Sequence, residues 1–458
     1  MMKEGAERGM LSFKWLFPGL GVKRWLVISL FGAILAVIGT EMVVGIQYLG
    51  AIESLFHRIA QNFFNDQNIK LIGLLFIAIG FVICIMGIKN TVSSVTNLLI
   101  PKNKEKLINI LYEKRHLKRG PRIVVIGGGT GLSVLLRGLK EFTSNITAIV
   151  TVSDDGGSSG RLRGELGILP PGDIRNCVLA LADTEPLMEK LFQYRFASGS
   201  LEGHSFGNLF IAAMTDILGD FGLAIKEFSK VLAVKGQVLP ATLEDTILCA
   251  EMEDGEYVEG ESAISTNSKV IRKIYLKPEN VRPLKESLNA IREADAIILG
   301  PGSLYTSIIP NLLVGDIPEE IRKASAMKIF VVNVMTQLGE TKGFKASDHI
   351  KVLLEYGGKS LIEYAVVNTS EIPEKVKKRY EEEGAEPVMP DTQEIESMGI
   401  KTVTGDFISK NHFVRHDSHR LARTIMRLIF EYKFSNEKFK ILDLYFWGEK
   451  LKEIIHMD

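Results

Sequence analysis

The chain opens with two long apolar runs and then changes its period. Residues 25–40 carry no charge, and the apolar character continues past Glu41 to about residue 52. Residues 71–88 are again uncharged, bounded by Lys70 and Lys89. Each run approaches the ~20 residues that a helix needs to cross a bilayer. Neither is followed by a small-residue cleavage site, so a transmembrane hairpin is expected over 1–95 rather than a cleaved leader. Beyond residue 120, short β-branched runs alternate with segments of helical spacing. The apolar runs at 122–126, 146–152, 295–299, 328–334 and 362–368 read as strands buried on both faces, as in a parallel sheet. Between 236 and 276 the period turns to two. Residues 248–253 and 256–259 flank Asp254-Gly255, a hairpin signal, and 270–276 gives a further strand.

The pattern therefore predicts an α/β fold: a Rossmann-like, doubly wound, mostly parallel sheet over 121–432 with a β-rich insertion at about 236–280. A two-helix transmembrane hairpin and a basic helical linker at 96–120 precede it. An amphipathic helix at 433–458, with Trp447, Leu451 and Ile454 on one side, closes the chain and suits packing or self-association into a homo-oligomer.

Charge fixes the orientation. Lys14, Lys23 and Arg24 precede the first run, and Lys89, Lys102, Lys104 and Lys106 follow the second. Arg58 is the only Lys or Arg in the connection between them. Both ends of the hairpin are then expected in the cytoplasm of a cell membrane, with the main domain cytosolic. Glu41 falls near the far end of the first run, where water or headgroups are expected to reach it. The 55 basic and 55 acidic residues cancel, so no global field points to nucleic acid. Cys84, Cys177 and Cys249 are scattered and read as free thiols in a reducing compartment.

Candidate chemistry gathers after the strands. In a parallel sheet every strand points the same way, so these residues share one rim, where ligands bind. The first strand runs into Gly127-Gly128-Gly129-Thr130-Gly131 and then a helical stripe. Free backbone N–H groups and the positive end of a helix dipole meet there, a site for phosphate, to which Thr130 adds a hydroxyl. The spacing is G-x-G-x-G, with Leu132 where the last glycine of the dinucleotide fingerprint would stand. The second strand ends at Asp154 and Asp155, placed for a ribose or a metal. Ser158 and Ser159 follow in a serine-glycine run of small N–H donors, and Arg161 and Arg163 suit phosphate. Asp173 is placed as a helix N-cap, with Arg175 and Asn176 in the first turn facing either a ligand or solvent. His204 precedes a helix at 209–218 whose cap would be Asn208; it serves either as a donor to phosphate or as a satisfied structural group.

Gly300-Pro301-Gly302-Ser303 forms a second glycine turn, and Ser303, Tyr305 and Thr306 offer hydroxyls and a ring for phosphate or base. Asn333, Thr336, Gln337, Glu340 and Thr341 fall on the same rim. His412, His416 and His419 have a metal-like spacing. Asp417 reads as the cap of a helix at 418–430, which would make the three rings diverge, so no metal site is expected there.

Five ordered motifs resemble the YvcK/CofD-like family, in its gluconeogenesis-factor branch. They are the glycine turn at 127–131, the run 153–161, Pro171-Gly172-Asp173-Ile174-Arg175, His204-Ser205-Phe206-Gly207-Asn208 and the turn at 300–307. The hairpin resembles an extension of some bacterial members. The resemblance implies a Rossmann-like core that binds a nucleotide sugar of the UDP-N-acetylglucosamine type, with a role in cell shape and envelope metabolism during growth on gluconeogenic carbon. It also implies a relation to 2-phospho-L-lactate transferase, a magnesium-dependent enzyme. Carried onto this chain, Asp154 and Asp155 match that branch's acidic motif, which serves metal or acceptor. Asn208 and the Gly300 to Thr306 turn match nucleotide-contacting positions. Two readings follow: a tethered, non-catalytic nucleotide-sugar sensor, or a transferase in which Asp154 and Asp155 hold Mg²⁺.

Overall fold

In the computed structural model the described residues are 22–44, 66–99, 117–183, 185–373, 377, 380, 382, 384–409 and 416–436. They fall into two compact units, one within Met1–Glu113 and one within Lys114–Asp458.

The first unit is a pair of helices, α1 (Val22–Val44) and α2 (Asp66–Leu99). They run antiparallel, because Gly39 meets Gly73, Gly32 meets Gly80 and Ser29 meets Gly87. The approach is close: a Cβ on Gly39 would stand 2.5 Å from the Gly73 carbonyl, and one on Gly80 2.6 Å from the Ala36 nitrogen. Small residues let helices in a bilayer gain packing where no hydrophobic drive between them exists. The outward faces carry Val27, Leu30, Phe31, Leu71, Phe81 and Val82, all exposed. Lys23–Val44 and Asn68–Ser94 are long and apolar enough to span a membrane. Glu41 departs from expectation. It is 2% exposed, buried within the pair rather than turned toward headgroups.

The second unit is built on a seven-stranded sheet in the order β10-β9-β8-β7-β1-β2-β3. Its strands are β1 (Ile123–Gly127), β2 (Ile146–Val150), β3 (Gln237–Pro240), β7 (Ala296–Leu299), β8 (Met327–Val331), β9 (Tyr364–Asn368) and β10 (Lys401–Gly405), and every pairing is parallel. The chain winds from β1 outward through β2 to β3, then returns to the other side of β1 and winds outward from β7 to β10. The direction reverses between β1 and β7, which is where an open α/β sheet forms its crevice.

All five expected strands are present, and two more extend the sheet. β3 lies in the stretch read as the start of the insertion but pairs with β2 in the main sheet. β10 was masked in sequence by Lys401, Thr402 and Thr404, as an edge strand's half-exposed pattern often is. The rest of the insertion is a separate antiparallel sheet, β5-β4-β6, made of β4 (Ile247–Met252), β5 (Tyr257–Glu259) and β6 (Ile271–Lys277).

Alternation along β1 divides the core. Ile123 and Val125 enter one apolar layer with α3 (Gly129–Leu139), while Val124 and Ile126 enter the other with Ile308, Ile350 and the inner face of β4 and β6. Burial on both faces is why the run is uniformly β-branched. The last described helix runs over Ser418–Asn436, past the expected 418–430, and Asp417 caps it through Oδ1, which accepts from the His419 and Arg420 nitrogens. The expected terminal helix lies largely outside the described residues, as does most of the linker.

Candidate functional site

Two glycine turns face each other at the switch point. β1 ends at Gly127, Gly128 is extended, and Gly129, with φ +68°, opens α3 within the expected turn. A side chain on Gly128 would meet Asp173 Oδ2 at 2.6 Å, and one on Gly131 would meet the Pro301 carbonyl at 2.7 Å. From the loop after β8, Asn333 clamps the second turn: its Oδ1 accepts from the Gly302 nitrogen at 3.2 Å and its Nδ2 donates to the Gly302 carbonyl at 2.8 Å. Gln337 Nε2 donates to Ser303 Oγ at 2.8 Å. Between the turns lies a cavity of 420 Å³, lined by Gly128, Gly129, Thr130, Gly131, Gly302, Ser303, Ser307, Thr336, Gln337, Tyr380 and His416, among others.

Several expected roles change on contact with the structure. Asp173 is not an N-cap. It lies in the first turn of α5 (Gly172–Leu181), and its Oδ2 accepts from the Gly129 nitrogen at 2.7 Å. One N–H of the cradle is thus already held by a carboxylate. Burial, then the charge of Asp154, pushes its pKa up to about 6. Tyr305 and Thr306 are buried rather than open to a ligand. Glu340 accepts from the Tyr305 nitrogen at 2.9 Å and from the Thr306 hydroxyl at 2.7 Å, tying down a π-helical turn over Leu304–Ile308. Burial raises the pKa of Glu340. Gly300 turns the chain there with φ +75° but does not line the cavity.

The serine-glycine run is a helix, α4 (Gly157–Leu166), rather than a loop, because burial of Ser158, Ser159 and Leu162 outweighs its poor helix propensity. Asp154 and Asp155 point to different anchors. Asp154 Oδ1 accepts from the Gly156 nitrogen at 2.9 Å, and Asp155 Oδ1 from the Ser262 nitrogen at 2.8 Å. Glu261 stands nearby, its pKa raised to about 8 by burial and then by Asp154, Glu340, Asp155 and Asp173. Among the described residues no three His, Cys, Asp or Glu side chains stand together as a metal-ligand set. Arg161 donates to the Glu202 carbonyl, and Arg163 pairs with Asp245 and the Thr246 carbonyl, so both guanidinium groups are turned to protein partners.

A second cluster forms one relay. Arg175 donates to Asn208 Oδ1 at 2.8 Å, to Asn176 Oδ1 at 2.8 Å and to the Ser205 hydroxyl. Asn208 Nδ2 donates to Ser158 Oγ at 3.1 Å, and the same hydroxyl lies within hydrogen-bond distance of His204 Nδ1, at 3.1 Å. Burial, then Arg161, lowers the pKa of His204. Burial also brings Arg175 down to about 10, which leaves it charged at neutral pH. Asn208 is not a cap: Ser205 caps α6 (Phe206–Leu218), accepting from the Asn208 nitrogen at 3.2 Å.

The structure therefore gathers Gly128 to Gly131, Gly302 and Ser303 around one cavity, and Ser158, Arg175, Asn176, His204 and Asn208 around one relay. Ser159 Oγ, accepting from the Gly172 nitrogen at 3.2 Å, and Asp173 join α4 and α5 to the cavity's rim. Sequence reasoning set His416 aside with the histidine spacing, yet it lines the cavity. His419 instead pairs with Glu141 at 3.1 Å at the surface, and His412 lies outside the described residues. The only signal for His416 was its place just before a capped helix.

Fold and site define a doubly wound α/β protein with a two-turn crevice at its strand-order reversal. The chain belongs to the CofD family: the family profile described as 2-phospho-L-lactate transferase CofD matches residues 123–408. It is 54% identical over 313 residues to the Bacillus subtilis protein named "Gluconeogenesis factor", covering 68% of this chain and 99% of that one. A Clostridium acetobutylicum relative is 44% identical over 450 residues, 96% of each chain, and so matches the apolar N-terminal region as well. A solved structure of a Bacillus halodurans member of the upf0052 family is similar, with 50% identity and a TM-score of 0.65 over 67% of this chain and 99% of that one.

Proposed function

We propose that this gluconeogenesis-factor-type protein is a membrane-tethered cytosolic regulator that binds a nucleotide sugar of the UDP-N-acetylglucosamine type and acts on cell shape and envelope metabolism during growth on gluconeogenic carbon. The observation that carries the reading is the single cavity between the two glycine turns. The backbone at Gly128, Thr130 and Gly131, at the start of α3, and the hydroxyl-bearing Thr130 and Ser303 line a volume suited to a diphosphate. The apolar helix pair supports the tether, and the flanking lysines support a cytosolic body. The family profile favours a second reading, transfer of a phosphorylated group from a nucleotide-activated donor.

One preparation tests the proposal. The full chain should stay in the membrane pellet after a carbonate wash and, once extracted in detergent, give saturable heat with UDP-N-acetylglucosamine without turning it over. A chain found in the soluble fraction would remove the tether. No heat at millimolar ligand would remove the nucleotide sugar, and metal-dependent turnover of a nucleotide-activated donor would favour the transferase.

A further inference from the structure

His416 and Gln337 line the cavity between the glycine turns and carry buried hydrogen-bonding atoms that the fold itself leaves unused. His416 lines it and is 8% exposed, held by a bridge to Ile408 immediately before the cap of α7 (Ser418–Asn436). Both its ring nitrogens are buried without a hydrogen-bond partner among the described residues. Burial brings its pKa down to about 4; the Val332 backbone pulls the other way but stands outside hydrogen-bond geometry. The imidazole is therefore neutral, with one N–H donor and one bare acceptor nitrogen. Gln337 contributes to the same wall. Its Nε2 is committed to Ser303, while its Oε1 is buried and unpartnered.

A folded protein rarely leaves three such atoms unsatisfied around one cavity, because each forfeits its hydrogen bonds to water with no return. Their chemistry restricts what can satisfy them. An acceptor oxygen repels phosphate, and a neutral imidazole adds no positive charge to attract it. Together they suit an uncharged group that both donates and accepts, such as an amide or a hydroxyl.

We propose that His416, with Gln337, is the part of this site that recognises an uncharged amide or hydroxyl of the ligand, while the glycine turns take its phosphates. The assignment rests on the nucleotide-sugar reading above. It gives the orphaned ring a role that a purely structural histidine lacks: the unmade bonds weaken the empty protein and are completed when the ligand is bound.

Paired measurements on the full chain in detergent test it. In His416→Phe a planar aromatic ring is kept and the unsatisfied nitrogens are removed. Its thermal midpoint is expected to stay level or rise, and its affinity for UDP-N-acetylglucosamine to fall at least tenfold. UDP serves as a second probe. An equal loss for UDP places the recognised group on the base or ribose, and a loss confined to the sugar nucleotide places it on the sugar. In the wild-type protein, the His416 ring ¹⁵N resonances, assigned by the signals missing from His416→Gln, are expected to shift on addition of the ligand. Unaltered affinity in His416→Phe, or unmoved ring resonances while the wild type binds, would overturn the role of His416 and leave the nucleotide-sugar reading standing. Absence of any binding by the wild type would overturn both.

Discussion

Asp173 occupies, from within the protein, the place an anion takes at the start of a helix. Its carboxylate accepts from the Gly129 nitrogen, and its pKa stands at about 6 against an ordinary 3.8. The sign follows from the raised value. The ionised form is disfavoured in the fold, so Asp173 costs nothing at a pH below its unfolded value and weakens the fold as pH rises through about 6. The same charge opposes a diphosphate in the cradle. Affinity for UDP-N-acetylglucosamine is expected to rise as pH falls from 7.5 to 5.5, by up to about tenfold, the scale of one close charge pair near a surface. Asp173→Asn keeps an acceptor for Gly129 and is expected to bind more tightly at neutral pH with a flattened profile. Titrations at several pH values check this, and an unchanged profile in the variant would remove Asp173 from the site. Asp173 was legible as a polar residue at a helix start. Its reach across to another strand's turn was not, because cap signals report only on their own helix.

Between elements, the closest approach in the site is that of the turn after β1 to the turn after β7. A methyl at Gly131 would meet the Pro301 carbonyl at 2.7 Å, and backbone cannot swing aside as a long side chain does. Gly131→Ala is expected to push the turns apart, costing ~1–3 kcal/mol of stability by overpacking and at least tenfold in ligand affinity. Thermal unfolding and calorimetry on the variant measure both, and wild-type affinity would show that the spacing of the turns is immaterial. Elements with strong periodicity, such as β1, β2 and α3, could be read from the sequence. The helix over Gly157–Leu166 could not, because its composition argues for a loop and only tertiary burial makes it helical. The turn around Tyr305 and Thr306 looked like a set of free hydroxyls. Glu340, arriving from the loop after β8, takes the Thr306 hydroxyl and the Tyr305 backbone nitrogen.

Across the whole chain, parallel strands follow from uniformly apolar runs, and the common rim follows from parallel strands. The strand order does not follow, since alternation of strands and helices fits several windings. It is this order that brings residues 127–131 beside residues 300–303 and draws in His416 from near the far end of the sequence. The two long apolar helices were the most legible part, because length and lack of charge alone mark them in the sequence. The burial of Glu41 between them was not, since it depends on which face α1 turns to α2. The most direct measurement is a crystal structure of the protein soaked with UDP-N-acetylglucosamine. The expected result is a diphosphate within hydrogen-bond distance of the nitrogens of Thr130 and Gly131 and of Ser303 Oγ. Phosphates seated elsewhere, at the Arg175–His204 relay or on the outer surface, would contradict a phosphate site built from the two glycine turns.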